Sequence, residues 1–202
     1  MAAVLPTKGN LMAAKRSRAL AQTGYELMDR KRNILVREMM ELMDGASALQ
    51  SEIDQVFSEA YAALRQAHIE LGLCDHIAEG VVPDDSLDIR WRSVMGVELP
   101  HIPEHGQQPR PEYSMMYTSP ALDEAYMKFR RVKDMTRRMA EIETSIYRLA
   151  QAIKKSQKRA NALKNIVIPD FDSTIRIISE ALEEKEREEF VRMKVIKKQN
   201  GK

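Results

Sequence analysis

The sequence predicts an all-α fold, a long antiparallel, left-handed two-helix coiled coil with a small β-hairpin and loop inserted in its middle. Three observations predict it. The 202-residue chain has only 8 glycines, 8 prolines and 5% aromatic residues, while the good helix formers are abundant. Apolar residues recur at alternating steps of three and four in two long segments. A short segment between them collects prolines and glycines.

The first long helix is predicted over about residues 10–78. No proline interrupts residues 7–82, and the apolar seam reads Met39, Leu42, Ala46, Leu49, Ile53, Val56, Ala60, Ala63 and Ala67. Upstream, the stripe continues in looser form through Leu20, Leu27, Met28, Ile34 and Leu35. A helix of about 65 residues is on the order of 100 Å long. Such a helix must lie against another long helix to bury its seam.

The middle segment, residues 79–118, predicts a small β-hairpin followed by a proline-rich loop. Leu87, Ile89 and Trp91 alternate with charged residues, as in a half-buried strand. Val97 and Leu99 supply a partner strand after Met95-Gly96. Because an isolated hairpin is marginal in water, we expect it to lean on the helices or on a partner.

The second long helix is predicted over about residues 119–199. Ser119-Pro120 is typical of an N-cap followed by proline at the first helical position. The seam runs through Leu122, Ala125, Phe129, Val132, Met135, Met139, Ile142, Ile146, Leu149, Ile153, Ser156, Ala160 and Leu163. Pro169 predicts a kink or break near residues 166–171, after which Phe171, Ile175, Ile178 and Leu182 resume the stripe.

The whole chain, residues 1–202, is therefore predicted to be one elongated domain. The short connector makes the long helices antiparallel, and the seven-residue repeat gives a left-handed twist. Both termini then meet at one end of the predicted rod, and the hairpin lies near the other.

Composition and charge limit the function classes. The net charge is only +2, although residues 38–88 carry twelve acidic residues and one base, Arg65. Nucleic-acid binders are usually basic overall, so no nucleic-acid partner is predicted. No apolar stretch is long enough to span a membrane, and the N-terminal residues lack the apolar core of a signal peptide, so we do not expect secretion. A single cysteine, Cys74, excludes an intramolecular disulfide and fits a reducing cytosol.

The residues predict no catalytic site, no metal site and no cofactor. The histidines His68, His76, His101 and His105 lack a convergent ligand pattern, and no Gly-rich phosphate loop or nucleophile elbow is present. The basic run Lys154-Lys155 and Lys158-Arg159 lacks the aromatic residues that stack on bases. A stiff rod with two different ends suits either scaffolding or the transmission of force.

Several blocks of residues resemble one known family across nearly the whole chain. They are Pro6-Thr7-Lys8, residues 24–35 (GYELMDRKRNIL), residues 93–100 (SVMGVELP), Asn161-Ala162-Leu163, Ile168-Pro169 and residues 182–188 (LEEKERE), ending near Lys194. In order and spacing they resemble the D subunits of V-type and A-type rotary ATPases, the shafts of the central stalk.

The resemblance implies a non-catalytic rotor subunit that needs no cofactor. Such a shaft couples ATP hydrolysis or synthesis in a ring of A and B subunits to ion translocation across the membrane. The implied partners are the A and B subunits, the F subunit and the stalk subunit that links the shaft to the membrane rotor. The implied location is cytoplasmic, peripheral to the cell membrane, without direct membrane insertion.

The same resemblance suggests two sets of contact residues. Lys31, Arg32, Arg187 and Lys194 are candidates for the catalytic ring, since they lie in the matching blocks and carry charge. The candidates for contact with the F subunit are Glu59, Leu64, Tyr126, Met127 and Arg130. For all of them, a merely solvated helix face is the alternative.

A free-standing coiled-coil adaptor is the competing interpretation of the fold. It predicts a stable dimer of this chain alone, whereas the rotor interpretation predicts one copy in a large complex.

Overall fold

The computed structural model describes residues 5–74, 77, 79, 87–103, 113, 116 and 118–200. Its elements are α1 (Lys8–Leu71), β1 (Arg90–Val94), β2 (Val97–His101), α2 (Pro120–Ala162), a π-helical turn (Leu163–Val167) and α3 (Ile168–Asn200). The chain divides into a central unit, Ile34–Ala152, and a terminal unit, Met1–Asn33 with Ile153–Lys202. The predicted fold class, helical with a two-stranded insertion, is confirmed.

The core of the central unit is built from the two predicted seams. One cluster contains Ile53, Val56, Ala60, Val132 and Met135, and another contains Ala67, Cys74 and Leu122. Residues 53–60 of α1 pack against residues 132–135 of α2, and Ala67 of α1 packs against the earlier Leu122 of α2. The two helices are therefore antiparallel in this unit. Every predicted seam position from residue 39 to 67 and from 122 to 149 is buried or half-buried, which confirms the seam here.

Helix α1 is ended by specific residues at both termini. Thr7 caps the N-terminus, since its Oγ1 accepts a hydrogen bond from the Asn10 amide at 3.2 Å. Gly72 stops the helix with a φ of 78°, and its amide donates to the His68 carbonyl at 3.0 Å. The helix therefore ends at Leu71, earlier than the predicted boundary near residue 78.

Strands β1 and β2 form the predicted antiparallel hairpin. Val94 pairs with Val97, and Met95 and Gly96 form the two-residue turn between them. Their φ angles of 51° and 75° are both positive, as a type I′ turn requires. The proline-rich loop predicted after the hairpin, together with His76 and His105, lies outside the described residues.

Helix α1 presents a different face in the terminal unit than the sequence predicted. Ala14 and Ala21 are buried, whereas Leu20 and Leu27 are exposed. In the central unit, Ile34 is likewise exposed beside the fully buried Leu35. The prediction that Leu20, Leu27 and Ile34 continue the stripe was wrong. The true seam lies one residue later, about 100° around the helix, where small alanines face the partner helix.

Pro169 does not break the C-terminal helix. The five residues before α3 form a π-helical turn, in which the Ile168 amide donates to the Leu163 carbonyl. Ala162 and Ile168, on either side of the turn, keep right-handed helical angles. Of the predicted kink or break near residues 166–171, the break is therefore wrong, since the helix is continuous, and the kink stays a prediction.

The predicted N-terminus of the second helix is correct in position but not in its capping bond. Helix α2 begins at Pro120, directly after Ser119. The Ser119 carbonyl accepts from the Leu122 and Asp123 amides, while its buried Oγ has no hydrogen-bond partner among the described residues.

Candidate partner-binding surfaces

Two ion pairs join α1 to α3 in the terminal unit. Lys8 Nζ lies 2.9 Å from Glu186 Oε1, and Arg18 Nε lies 3.1 Å from Asp172 Oδ1. The hydrogen bond to Glu186, together with the negative charge of that residue, raises the pKa of Lys8. All four side chains are at least 42% exposed, so the pairs fix the register of the helices more than they add stability.

Of the two ring candidates on α1, only Lys31 is available to a partner. Arg32 Nη1 donates to Gln157 Oε1 at 2.7 Å, and its Nη2 lies 2.8 Å from Asp29 Oδ1. These contacts occupy the Arg32 guanidinium inside the terminal unit. Lys31, which is half-buried, forms no hydrogen bond or ion pair with any described residue.

The C-terminal end of α3 is an exposed apolar helix. Helix α1 begins at Lys8, whose partner is Glu186, so α3 continues past that point without a facing helix in the described chain. All residues from 183 to 199 are exposed. The large apolar ones are Phe190, Val191, Met193, Val195 and Ile196. We call residues 187–199 the C-terminal tail.

The two remaining ring candidates lie on this tail. Arg187 pairs loosely with Glu183 at 3.8 Å and is 81% exposed. Lys194 Nζ lies 5.7 Å from the centre of the Phe190 ring. Both contacts are local to the helix, so both charged groups remain accessible to a partner.

The π-helical turn lies against the part of α1 that carries the GYELM block. A Cβ placed on Gly24 would lie 3.7 Å from Leu163 Cδ1, which is an ordinary contact distance. Lys164 Nζ lies 5.8 Å from the centre of the Tyr25 ring. Two blocks that are distant in sequence therefore meet at this turn.

Glu141 of α2 anchors the last residues of the hairpin. Its Oε2 accepts a hydrogen bond from the Ile102 amide at 2.8 Å, and its Oε1 lies 3.1 Å from His101 Nδ1. One carboxylate thus holds two successive residues beside the helix. Gly45, Leu49 and Pro103 line a shallow groove next to this contact.

Arg148 and Glu38 anchor the hairpin at two further points. Arg148 lies 4.5 Å from the centre of the Trp91 ring and donates to the Glu98 carbonyl at 3.1 Å. Arg92 forms an ion pair with Glu38 at 2.8 Å. These anchors could not be predicted from the sequence, because no spacing rule links a strand residue to a helix residue some fifty positions away.

An aromatic row covers one side of the helix pair in the central unit. Phe57 and Tyr61 stack with ring centres 6.2 Å apart, and Tyr61 meets Phe129 edge to face at 5.3 Å. Tyr61 remains 54% exposed. We call this side the aromatic face.

Three of the residues predicted to contact the F subunit belong to or adjoin the aromatic face. Leu64 lies two turns after Phe57, and Tyr126 lies three residues before Phe129, which places each on the same side as its neighbour. Arg130 follows Tyr126 by four residues and shares its side.

The other two residues of that predicted set point elsewhere. Glu59 lies two turns after Glu52, whose Oε1 lies 3.2 Å from Arg131 Nη2 on the opposite side of the pair. Met127 is half exposed on the outer surface of α2. The five predicted residues therefore do not form one continuous surface.

Tyr113 closes one end of the aromatic face. Its hydroxyl donates to Asp123 Oδ1 at 2.6 Å, and its ring lies edge to face with Tyr126 at 5.4 Å. Burial, followed by the hydrogen bond to Asp123, raises the pKa of Tyr113.

Neither a metal centre nor a membrane span emerges from the described part of the chain. Its His, Cys, Asp and Glu residues form no group of three able to hold a metal ion. None of its helices combines the length and the hydropathy needed to cross a bilayer.

Comparison with known proteins adds one consistent result. Residues 10–198 match the family of ATP synthase D subunits. The chain is 42% identical over 196 residues to the V-type ATP synthase D subunit of Thermotoga neapolitana, covering 96% of this chain and 97% of that protein. It is 38% identical over 199 residues to the A-type ATP synthase D subunit of Pyrococcus furiosus, covering 96% and 93%. The A-type ATP synthase D subunit of Thermococcus sibiricus is 37% identical with the same coverage.

Proposed function

The chain belongs to the family of ATP synthase D subunits, and on that premise we propose that it is the central-stalk rotor shaft of a V/A-type rotary ATPase. The shaft couples ATP hydrolysis or synthesis in a ring of A and B subunits to ion translocation across the membrane. It forms no chemical bond itself, and its work is mechanical. The observation that carries the proposal is the tail, where α3 continues past its last described ion pair with α1 and exposes five large apolar side chains.

The tail is the end that enters the catalytic ring. Large apolar side chains on a helix without a facing partner are covered by another protein when the assembly forms. Arg187 and Lys194 supply accessible positive charge on the same tail. Lys31 supplies a further charge from α1, whereas Arg32 holds the shaft together through Gln157. We therefore assign the ring contacts to Lys31, Arg187 and Lys194.

The aromatic face is the surface for the F subunit. Exposed aromatic side chains are enriched at the centres of protein interfaces, and Tyr61 supplies one here. Leu64, Tyr126 and Arg130 adjoin it. Met127, on the outer surface of α2, and Glu59, on the opposite side, are outside the contact in this assignment.

Coupling requires that the shaft favour different ring conformations as it turns. Uneven placement of charge and apolar surface around the helix pair provides such a preference. The other end of the shaft passes torque to the stalk subunit attached to the membrane rotor. The chain thereby works in the cytoplasm at the membrane surface, without entering the bilayer.

The assembly is tested by co-expression with the A, B and F subunits, followed by native mass determination. We expect one copy of this chain in a ring of three A and three B subunits, together with the F subunit. A homodimer that ignores those subunits would identify a free-standing adaptor instead.

The ring contact is tested at the tail with a matched control. Phe190 and Ile177 are 60% and 59% exposed on the same helix, but only Phe190 lies on the tail. Phe190→Asp should weaken assembly with the A and B subunits, whereas Ile177→Asp should not. Equal assembly of the two variants would contradict the assignment of the tail.

The contact with the F subunit is tested by comparing the two sides of the helix pair. Tyr61→Asp should abolish co-purification of the F subunit, because it places a charge in the middle of the aromatic face. The Glu59→Lys variant, which is changed on the other side of the helix pair, should still co-purify with the F subunit. Loss of the partner only in the Glu59 variant would reverse the assignment.

A further inference from the structure

The seam of the C-terminal helix contains one residue more than the repeat allows. Its alternation of three and four runs from Ser156 through Ala160 and Leu163 to the half-buried Val167, but the next positions, Phe171 and Ile178, each lie one residue later than the repeat places them. Had the alternation continued, Ile177 would face the partner helix. Instead Ile177 is 59% exposed and Ile178 is 1% exposed.

The π-helical turn absorbs this extra residue. One residue corresponds to about 100° of rotation in an α-helix, so an unabsorbed insertion turns the rest of the seam away from α1. In the turn, the Ile168 amide reaches back five residues to the Leu163 carbonyl instead of four. The buried Ile168 and Ile178 are thereby restored to the side that faces α1.

The turn is bounded by buried positions and carries exposed residues inside, of which Lys164 lies near the Tyr25 ring. Ala160 and Ile168 are 1% and 9% exposed, whereas Lys164, Asn165 and Ile166 are all exposed. Moving the wide turn along residues 161–167 changes hydrogen-bond partners but removes no fully buried side chain from the core. Pro169 blocks movement toward α3, because its ring clashes with a carbonyl four residues earlier in a regular helix.

We infer that residues 161–167 form a torsional joint, in which the extra residue shifts along the helix and absorbs twist between Ala160 and Ile168. Wide turns of this kind are frequent at functional sites. The use of the joint in coupling rests on the proposed rotor function. There it stores strain while the tail is held by the ring, and it returns that strain as the ring changes state.

The joint can be removed without disturbing the seam. Deleting Asn165 gives a step of four between Leu163 and Ile168, which is a regular heptad step. The deletion is combined with Pro169→Ala, since proline is not tolerated once the helix is continuous. Deletion of the exposed Lys155 is the matched control. It removes one residue from a regular part of the seam and so turns the apolar positions that follow away from the partner helix. Pro169→Ala alone keeps the extra residue and hence the joint.

The first measurement is hydrogen exchange on the full chain together with its melting temperature. In the parent chain, amides 164–168 should exchange at least tenfold faster than those of residues 175–179. In the Asn165-deleted, Pro169→Ala chain this difference should fall below threefold, with the melting temperature kept or raised. The Lys155 deletion should lower the melting temperature. Equal exchange rates for the amides of residues 164–168 and 175–179 in the parent chain would contradict the proposed joint.

The second measurement is ion pumping per ATP hydrolysed in the assembled ATPase. The variant without the joint should pump at least twofold less per ATP, while Pro169→Ala alone should stay closer to the parent. Unchanged pumping would overturn a role of the joint in coupling. If the parent chain does not assemble with the ring, the rotor function fails, but the exchange experiment still decides whether the joint exists.

Discussion

The central and terminal units pair their helices by different means. In the central unit, Ile53 and Val56 of α1 pack against Val132 and Met135 of α2. In the terminal unit, the buried residues that α1 supplies are the alanines Ala14 and Ala21.

Charged side chains at the edge are common in the terminal unit, where Lys8, Arg18 and Arg32 each reach across to the partner helix. The central unit has one such pair, Glu52 with Arg131, among its described residues whose contacts are given, and adds a hairpin held by Glu38, Glu141 and Arg148. Burial of large apolar side chains therefore stabilises the helix pair of the central unit. In the terminal unit, small buried residues and polar contacts at the edge fix the register of the two helices.

The largest expected effect tests the burial of the central seam. Leu149 is fully buried on α2, so Leu149→Ala should lower the free energy of unfolding by about 2 to 5 kcal/mol. The control is Ile166→Ala in the π-helical turn, where the side chain is 67% exposed and the change should be within about 0.5 kcal/mol. Denaturant titration measures both, and similar losses would contradict the contrast.

The next effect tests the hairpin that only the central unit carries. Arg148→Ala removes the contact with Trp91 and the bond to the Glu98 carbonyl, and we expect a cost of about 1 to 2 kcal/mol. Trp91 is the single tryptophan, so its fluorescence reports the hairpin directly. Emission should shift to longer wavelength in Arg148→Ala. Lys154→Ala, an exposed change on the same helix, should leave the spectrum unaltered.

A third comparison separates two adjacent cations on α1. Arg32→Glu should lower the free energy of unfolding by about 1 to 2 kcal/mol, because it breaks the bond to Gln157 and places a second negative charge beside Asp29. Lys31→Glu should change it by less than about 0.5 kcal/mol. In the assembled complex, Lys31→Glu should nevertheless reduce coupled ATPase activity. A stable Arg32→Glu chain would weaken the role given to edge contacts.

The smallest effect compares one helical glycine from each unit. Alanine is favoured over glycine inside a helix by about 1 kcal/mol. Gly45→Ala in the central unit meets open space, and Gly24→Ala in the terminal unit meets Leu163 at an ordinary distance. Both should raise the melting temperature by a few degrees. A loss of stability only for Gly24→Ala would mean that the π-helical turn needs closer contact with α1.

Much of this architecture could be predicted because it follows from periodicity. The positions of the central seam, the antiparallel order and the Met95-Gly96 turn depend on local spacing and on short connections. Two features were missed although the sequence signals them. Gly72 marks the end of α1, and the spacing of eight residues between Leu163 and Phe171, one more than the repeat of seven, marks the π-helical turn.

The surfaces were harder to predict than the core. The row of Leu20, Leu27 and Ile34 repeats every seven residues as regularly as the neighbouring row of Ala14, Ala21, Met28 and Leu35, so hydrophobicity alone did not separate the two faces. Likewise, Glu59 and Leu64 are close in sequence but lie on opposite sides of the helix pair. A face is decided by which side the partner helix covers, and one helix does not carry that information by itself.

By itself, the sequence determined the helices, the hairpin turn and the central seam, because these depend on residues near each other along the chain. Its blocks also indicated the family. Tertiary structure alone decided that Arg32 is occupied by Gln157, that Arg148 holds Trp91, and that the π-helical turn lies against Gly24. These contacts join residues far apart in the chain, and their geometry exists only after the helices have packed.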